Sequence, residues 1–431
     1  QYKEEGYSKQ EISHLIADNM NVGDVLRNAS KKWDGGYAMA GLIGHGDAFV
    51  LRDPNCIRPA YYYMDDEVVS VASERSVLQT AFNVPFNDIK EIPGGEALIM
   101  KKGGDVYLEK IIAPKERLAC SFERIYFSRG NDKDIYNERI ELGRKMIPTL
   151  LETIDHDLEN TVFSFIPNTA EIAFYGLVKG MEDVMNSQKF VKIKEAGDLD
   201  DETLMSILRS RARVEKIAWK DVKLRTFITQ DDSRDDLVSH VYDVTYGAVK
   251  PTDNLVVLDD SIVRGTTLKQ SIFKILDRLN PKRIIVASSA PQIRYPDCYG
   301  IDMAKMWDFI AFRAAIALLQ EGNQQHIIDE VYTKCKAQVD LPDNKVRNFV
   351  RDIYAPFTAQ EISDKIAELL VPADMKAEVR IVYQTIEDLH LACPDNLGDW
   401  YFTGNYPTPG GNRVVNKSFI NYYEGVNERA Y

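Results

Sequence analysis

Leu255-Val256-Val257-Leu258-Asp259-Asp260-Ser261-Ile262-Val263-Arg264-Gly265-Thr266-Thr267 decides the reading of this chain. Residues 255–258 form a continuous apolar run, the pattern of a strand buried on both faces. From Thr267 onward, Leu268, Ile272, Ile275, Leu276 and Leu279 recur at helical spacing. A second apolar run follows at 283–288. Residues 259–266 are then the turn between the carboxyl end of a strand and the amino end of a helix, where open α/β sheets place their ligands. Free backbone N–H groups, close approach at Gly265 and the hydroxyls of Ser261, Thr266 and Thr267 suit a phosphate. The carboxylates of Asp259 and Asp260 would repel that phosphate unless they bond sugar hydroxyls or contact Mg2+. The plainer alternative is an Asp-Asp strand end followed by an ordinary Ser or Thr helix cap.

Around this turn, apolar runs at 161–166, 255–258, 283–288 and 380–383 alternate with helical stretches. Such alternation predicts a parallel sheet with crossover helices. Upstream, short runs at 37–43, 47–51, 68–72 and 96–100 are separated by Gly44-His45-Gly46, Asp53-Pro54-Asn55 and Pro93-Gly94-Gly95. That is the texture of antiparallel hairpins. Residues 307–373 read as mainly helical, and the Gly-, Pro- and Asn-rich tail from Trp400 as irregular structure on the surface.

The 431 residues, 45% hydrophobic and 28% charged, suffice for one large core or two ordinary ones. A net charge of −13 argues against nucleic-acid binding, which needs a basic face. No apolar run is long enough to span a membrane and no signal peptide is visible. Five scattered cysteines, Cys56, Cys120, Cys298, Cys335 and Cys393, point to reduced thiols and a cytoplasmic location.

The string LDDSIVRGTT resembles the phosphoribosyl-pyrophosphate loop of type I phosphoribosyltransferases, and most closely that of the glutamine phosphoribosylpyrophosphate amidotransferases. The likeness continues in Ala287-Ser288-Ser289-Ala290-Pro291-Gln292-Ile293-Arg294-Tyr295-Pro296 and in Phe122-Glu123-Arg124-Ile125-Tyr126-Phe127-Ser128-Arg129. Arg52-Asp53-Pro54-Asn55-Cys56-Ile57-Arg58-Pro59 is similar to the later part of that family's glutaminase domain.

The resemblance implies an α+β remnant of an N-terminal-nucleophile glutaminase domain over residues 1–118. It implies an α/β type I phosphoribosyltransferase domain with a parallel sheet over 119–310. A helical extension and C-terminal segment, 311–431, would pack on the latter. The implied reaction forms 5-phosphoribosylamine and pyrophosphate from phosphoribosyl pyrophosphate and ammonia, with glutamine as the ammonia source in an intact protein. This is the first step of purine nucleotide biosynthesis. Asp259 and Asp260 would hold ribose hydroxyls and help place Mg2+. Ser261, Ile262, Val263, Arg264, Gly265, Thr266 and Thr267 would hold the 5-phosphate. A second loop at Ile166-Pro167-Asn168-Thr169-Ala170 would meet the pyrophosphate, although Thr169 also reads as a helix cap. Arg225 would add positive charge. Purine nucleotides are the implied inhibitors, and a homo-oligomer the implied assembly.

The sequence departs from the family at three places. The chain opens on Gln1, reads as a fragment, and lacks the glutaminase nucleophile, so no glutamine hydrolysis is expected; Cys56 reads as a structural thiol. The segment matching the family's basic closing loop carries Asp231, Asp232, Asp235 and Asp236 against the single Arg234. It reads as an exposed acidic loop or an extra Mg2+ carrier, and it favours an alternative: a weakly active paralogue that binds phosphoribosyl pyrophosphate or nucleotides as a regulatory module. A salvage phosphoribosyltransferase would have no use for the upstream glutaminase-like segment. No cysteine pair stands near Trp400–Pro407, so no iron–sulfur cluster is expected.

Overall fold

The computed structural model describes residues 2–220, 242–300 and 303–430. Its organising element is a five-stranded, all-parallel sheet of β1 (Thr161–Phe165), β2 (Arg213–Val214), β3 (Asn254–Asp259), β4 (Arg283–Ser288) and β5 (Glu378–Tyr383). The spatial order is 2-1-3-4-5. Three of these strands extend the predicted apolar runs or match them within a residue. The two-residue β2 carried no legible signal, and β5 begins two residues earlier than its apolar core suggests.

Alternate side chains of the sheet serve two cores. Phe163, Val256, Leu258 and Ile285 pack with Leu150, Phe174 and Leu177 under the helices Lys133–Lys145, Ile147–Thr153 and Glu171–Ala196. Val162, Leu255, Val257, Ile284 and Val286 face the opposite layer, with Phe273, Phe312, Ile316 and Ile366. Strands covered on both sides must be apolar throughout, which explains the continuous runs. The helical reading of 307–373 is realised in Ile310–Glu321, Gln325–Lys336, Arg351–Tyr354 and Ala359–Leu370.

Upstream, a four-stranded antiparallel sheet runs in the spatial order Ala38–Leu42, Ala48–Arg52, Glu96–Met100, Val106–Lys110. The helix Val22–Ala29 covers one face through Val22 and Leu26, against Leu51, Ala97 and Ile99. A three-stranded sheet (Tyr61–Met64, Val69–Ala72, Lys90–Glu91) covers the other, where Tyr62 and Ile92 meet Val50 and Leu98. Buried Asp53 closes the turn between layers, accepting bonds from the backbone N–H groups of Asn55, Ile57 and Arg58 at 3.0, 3.0 and 3.1 Å. Cys56 in that turn is buried with a left-handed φ of 57°. Burial pushes its thiol up, which suits a structural role and not a nucleophile.

The reading of the C-terminal tail as irregular surface structure is corrected. Trp400–Thr403 and Pro409–Tyr423 are helical, and Trp400, Tyr401, Phe402, Val415 and Phe419 are buried. Pro409 sits in the first helical turn, where its missing N–H costs nothing. Gly411 packs under the Tyr406 ring with no room for a Cβ. The residues that suggested irregularity are a start signal and a packing contact. Among the described residues, no helix is long and apolar enough to cross a membrane.

Candidate active site

In the order 2-1-3-4-5 the chain leaves β1 in one direction and β3 in the other, so a crevice opens between their carboxyl ends. The two sequence-predicted loops emerge there side by side. Ile166 donates its N–H to Leu258 O at 2.8 Å, locking the loop after β1 to the end of β3. The Thr169 side chain lies close enough to Asp260 to favour its ionised carboxylate. The helix Glu171–Ala196 has Ala170 at its cap and no side-chain capping bond. Thr169 is therefore not a cap.

Asp259 is the last residue of β3, and its Oδ1 accepts the N–H of Asp260 at 2.9 Å. Ser261 Oγ donates to Asp260 Oδ1 at 2.9 Å. Burial, then the neighbouring charge of Asp260, pushes the Asp259 carboxyl well up. Burial also raises Asp260, opposed by the bond from Ser261, by the nearby Thr169 side chain and by the charge of Arg139. Arg139 is buried and donates to the carbonyls of Arg124 and Ser128 at 2.8 and 2.6 Å. Tyr126, Tyr242 and Tyr383 surround the pair. Their phenols are raised by burial and then by the aspartates, Tyr242 to about 12. Of these four residues, Tyr126 lies in a motif noted in the sequence and Tyr383 ends the predicted apolar run 380–383. The others arrive from distant elements with no local signature.

The rest of the loop wraps the helix start. Ile262 is buried, and Val263 O accepts the N–H of Ile310 at 2.9 Å. Arg264, 54% exposed, turns outward to Asp308 at 3.0 Å. Gly265 has a φ of +70°, and a Cβ there would lie 2.6 Å from Leu370. Both facts require glycine. Its carbonyl accepts from Lys269 N at 3.0 Å, while Thr266 and Thr267 stand exposed on the first turn. The helix begins with a π-turn, Leu268–Ile272, and continues as Phe273–Asp277.

One loop thus carries two carboxylates at its strand end and two exposed hydroxyls at its helix start, groups that suit a molecule with a phosphate and neighbouring hydroxyls. Among the described residues, no group of three or more His, Cys, Asp or Glu side chains could hold a metal by itself. Mg2+ commonly takes one or two carboxylates and completes its shell with substrate phosphates and water, so Asp259 and Asp260 suffice as a donor set. Arg225 and the acidic run through Asp231, Asp232, Asp235 and Asp236 lie outside the described residues. Of the nearby basic side chains, Lys216 sits over the Trp219 ring at 4.1 Å. Cys120 and Cys393 are buried separately, their thiols pushed up by burial.

With this geometry in place, similarity to known proteins becomes informative. The amidophosphoribosyltransferase of Escherichia coli is 29% identical over 308 residues, 69% of this chain and 54% of that protein. That of Haemophilus influenzae is 27% identical over 371 residues, 83% and 66% of the two lengths. That of Pseudomonas aeruginosa is 29% identical over 286 residues, 64% and 50%. The chain resembles the amidophosphoribosyltransferases.

Aligned regions span between 50% and 66% of these curated relatives. No protein-family model matches the chain. In fold, it is similar to the glutamine phosphoribosylpyrophosphate amidotransferase of B. subtilis complexed with ADP and GMP. The TM-score is 0.58 at 21% identity, covering 94% of this chain and 73% of that one. A structure described as the allosteric regulatory enzyme of purine biosynthesis matches with a TM-score of 0.59 at 21% identity, covering 95% and 72%.

Proposed function

We propose that the crevice between β1 and β3 is an amidophosphoribosyltransferase site. It would form 5-phosphoribosylamine and pyrophosphate from phosphoribosyl pyrophosphate and ammonia, the opening step of purine nucleotide synthesis. The observation that carries the reading is the meeting of the two strand-end loops at the topological switch point, where Ile166 bonds Leu258 and Asp259 and Asp260 leave the end of β3. The curated relatives point to the same activity.

In this reading, Asp259 and Asp260 accept hydrogen bonds from the ribose hydroxyls, and the N–H groups and hydroxyls of residues 261–267 hold the 5-phosphate. Thr169 and its loop face the pyrophosphate. Ammonia attacks C1 of the sugar, the C1–oxygen bond breaks, pyrophosphate leaves with the electron pair, and the nitrogen loses one proton to solvent. The protein's share is orientation and the anionic field of Asp259 and Asp260 beside a sugar that becomes cationic. Mg2+, when bound by these carboxylates, neutralises charge on the leaving pyrophosphate.

The layered upstream region supports assigning residues 1–118 to the later part of a glutaminase domain, with 119–310 and 311–431 as transferase domain and extension. Within it, Cys56 is a buried thiol held protonated by its surroundings, so it is not expected to attack glutamine. Purine nucleotides as inhibitors, a homo-oligomeric assembly and a cytoplasmic location follow from the same likeness. The aspartates between 231 and 236 favour the second reading, a regulatory module that binds phosphoribosyl pyrophosphate without turnover.

Calorimetric titration of phosphoribosyl pyrophosphate with Mg2+ tests the proposal. Micromolar binding that disappears in Asp259→Asn/Asp260→Asn, together with ammonia-dependent pyrophosphate release, is expected. Binding without release would favour the regulatory module, and no binding would end the first reading.

A further inference from the structure

Away from the crevice, a cavity of about 350 Å³ lies where the upstream sheets meet the helices of the parallel domain. Its walls come from Arg52 and Tyr61 on one side and from Arg124, Asp132 and Asn396 on the other. The helix Arg75–Phe82 begins in this wall. Its cap residue, Glu74, makes no side-chain capping bond. Glu74 Oε2 instead accepts the backbone N–H of Arg129 at 2.9 Å. Val77 N–H bonds the Glu74 carbonyl at 3.2 Å, and the N–H groups of Arg75 and Ser76 are left with the positive dipole end of the helix at the cavity.

Ser76, in that first turn, is 3% exposed and lines the cavity, and its Oγ has no hydrogen-bond partner. A buried hydroxyl without a partner is costly, and here it adds a donor beside the free N–H groups. Together they call for an oxygen acceptor.

The charges set the rest of the ligand. Four arginines and six carboxylates line the space. The arginines are already engaged: Arg75 with Asp132 and Asp134, Arg117 and Arg52 with Glu91, and Arg124 with Glu138. An anion alone would therefore meet surplus negative charge. Asp134 uses Oδ2 towards Arg75 and Glu74 uses Oε2 towards Arg129, which leaves Oδ1 and Oε1 for a cation. We infer that this cavity binds a small zwitterion, an α-amino acid with a neutral or basic side chain. Its carboxylate rests on Ser76 and the helix start, and its ammonium faces Asp134 and Glu74. The site lies apart from the phosphate loop and is independent of the reaction proposed for it.

Titrating the full chain, with its phosphate loop already filled by phosphoribosyl pyrophosphate and Mg2+, with L-asparagine, L-lysine, L-glutamate and inorganic phosphate tests this. L-Asparagine and L-lysine should bind saturably at one site, and L-glutamate and phosphate should not. Ser76→Ala should weaken binding about tenfold, the loss of one hydrogen bond to a charged group. Asp134→Asn, at a side chain 48% exposed and so safe for folding, should weaken it by a similar factor. Binding of phosphoribosyl pyrophosphate should be unchanged in both variants. No saturable binding of the two amino acids, equal binding in either variant, or phosphate binding as tightly as the amino acids would each overturn the inference.

Discussion

The two main sheets of this protein are built on opposite principles. In the parallel sheet, Leu255, Val256, Val257 and Leu258 are fully buried, and the chain emerges only at the strand ends. In the antiparallel sheet, the edge strand Ala38–Leu42 alternates between exposed and half-buried, and Leu42 is 81% exposed. The first sheet holds its stability in its middle and presents chemistry at one rim. The second spends its faces on packing and keeps its edge in solvent. The difference teaches where substitutions should hurt, and whether they should hurt folding or binding.

The contrast is sharpest for Leu258→Ala, which empties part of a closed core and should cost about 2–5 kcal/mol in denaturant unfolding. A smaller loss would mean that this layer can collapse around the gap. Next comes Gly265→Ala at the rim. The positive φ and the Leu370 contact should cost about 1–3 kcal/mol and weaken phosphoribosyl pyrophosphate binding as well. Unchanged binding would detach Gly265 from the ligand.

Third, Asp259→Asn/Asp260→Asn should stabilise the protein while abolishing binding. Folding raises both carboxyls, so the folded state holds its protons more tightly than the unfolded chain does. The stability that follows is present at low pH and is lost as pH rises through the raised values. The double variant should therefore melt above the wild type at pH 7, with the gap closing towards about pH 4. A gap independent of pH would show that the aspartates are not strained by their mutual charge. Smallest of all, Leu42→Ser on the open edge should change stability by no more than about 0.5 kcal/mol. A larger loss would place that edge in an interface.

The same contrast explains what the sequence disclosed. Residues 255–267 were legible because strand, loop and helix start are contiguous, and a strand buried on both faces needs no pattern finer than unbroken apolarity. Tyr61–Met64 and Val106–Lys110 were missed because aromatic and charged residues on half-exposed strands blur the alternation. The site was half legible. Its aspartates, hydroxyls and glycine sit in one string, but the approach of Thr169, Arg139 and the three tyrosines to them exists only once elements far apart in sequence meet. The tail misled because Pro409 and Gly411 act as a helix start and a close contact, where composition alone suggests breaks.

The fifth strand carries a consequence for how the molecule comes into being. Glu378–Tyr383 pairs with Arg283–Ser288, nearly a hundred residues earlier. The phosphate loop, for its part, leans on Leu370 and is held by Ile310. On the ribosome, β4 stands as an open edge until the chain has been made as far as Tyr383, and the loop lacks its backing until Leu370 has been made. Contacts of such long sequence separation are paid for in folding time. The ligand site sets only after these distant segments have been made, and a nascent or truncated chain ending before Tyr383 would present an unpaired apolar strand to its neighbours.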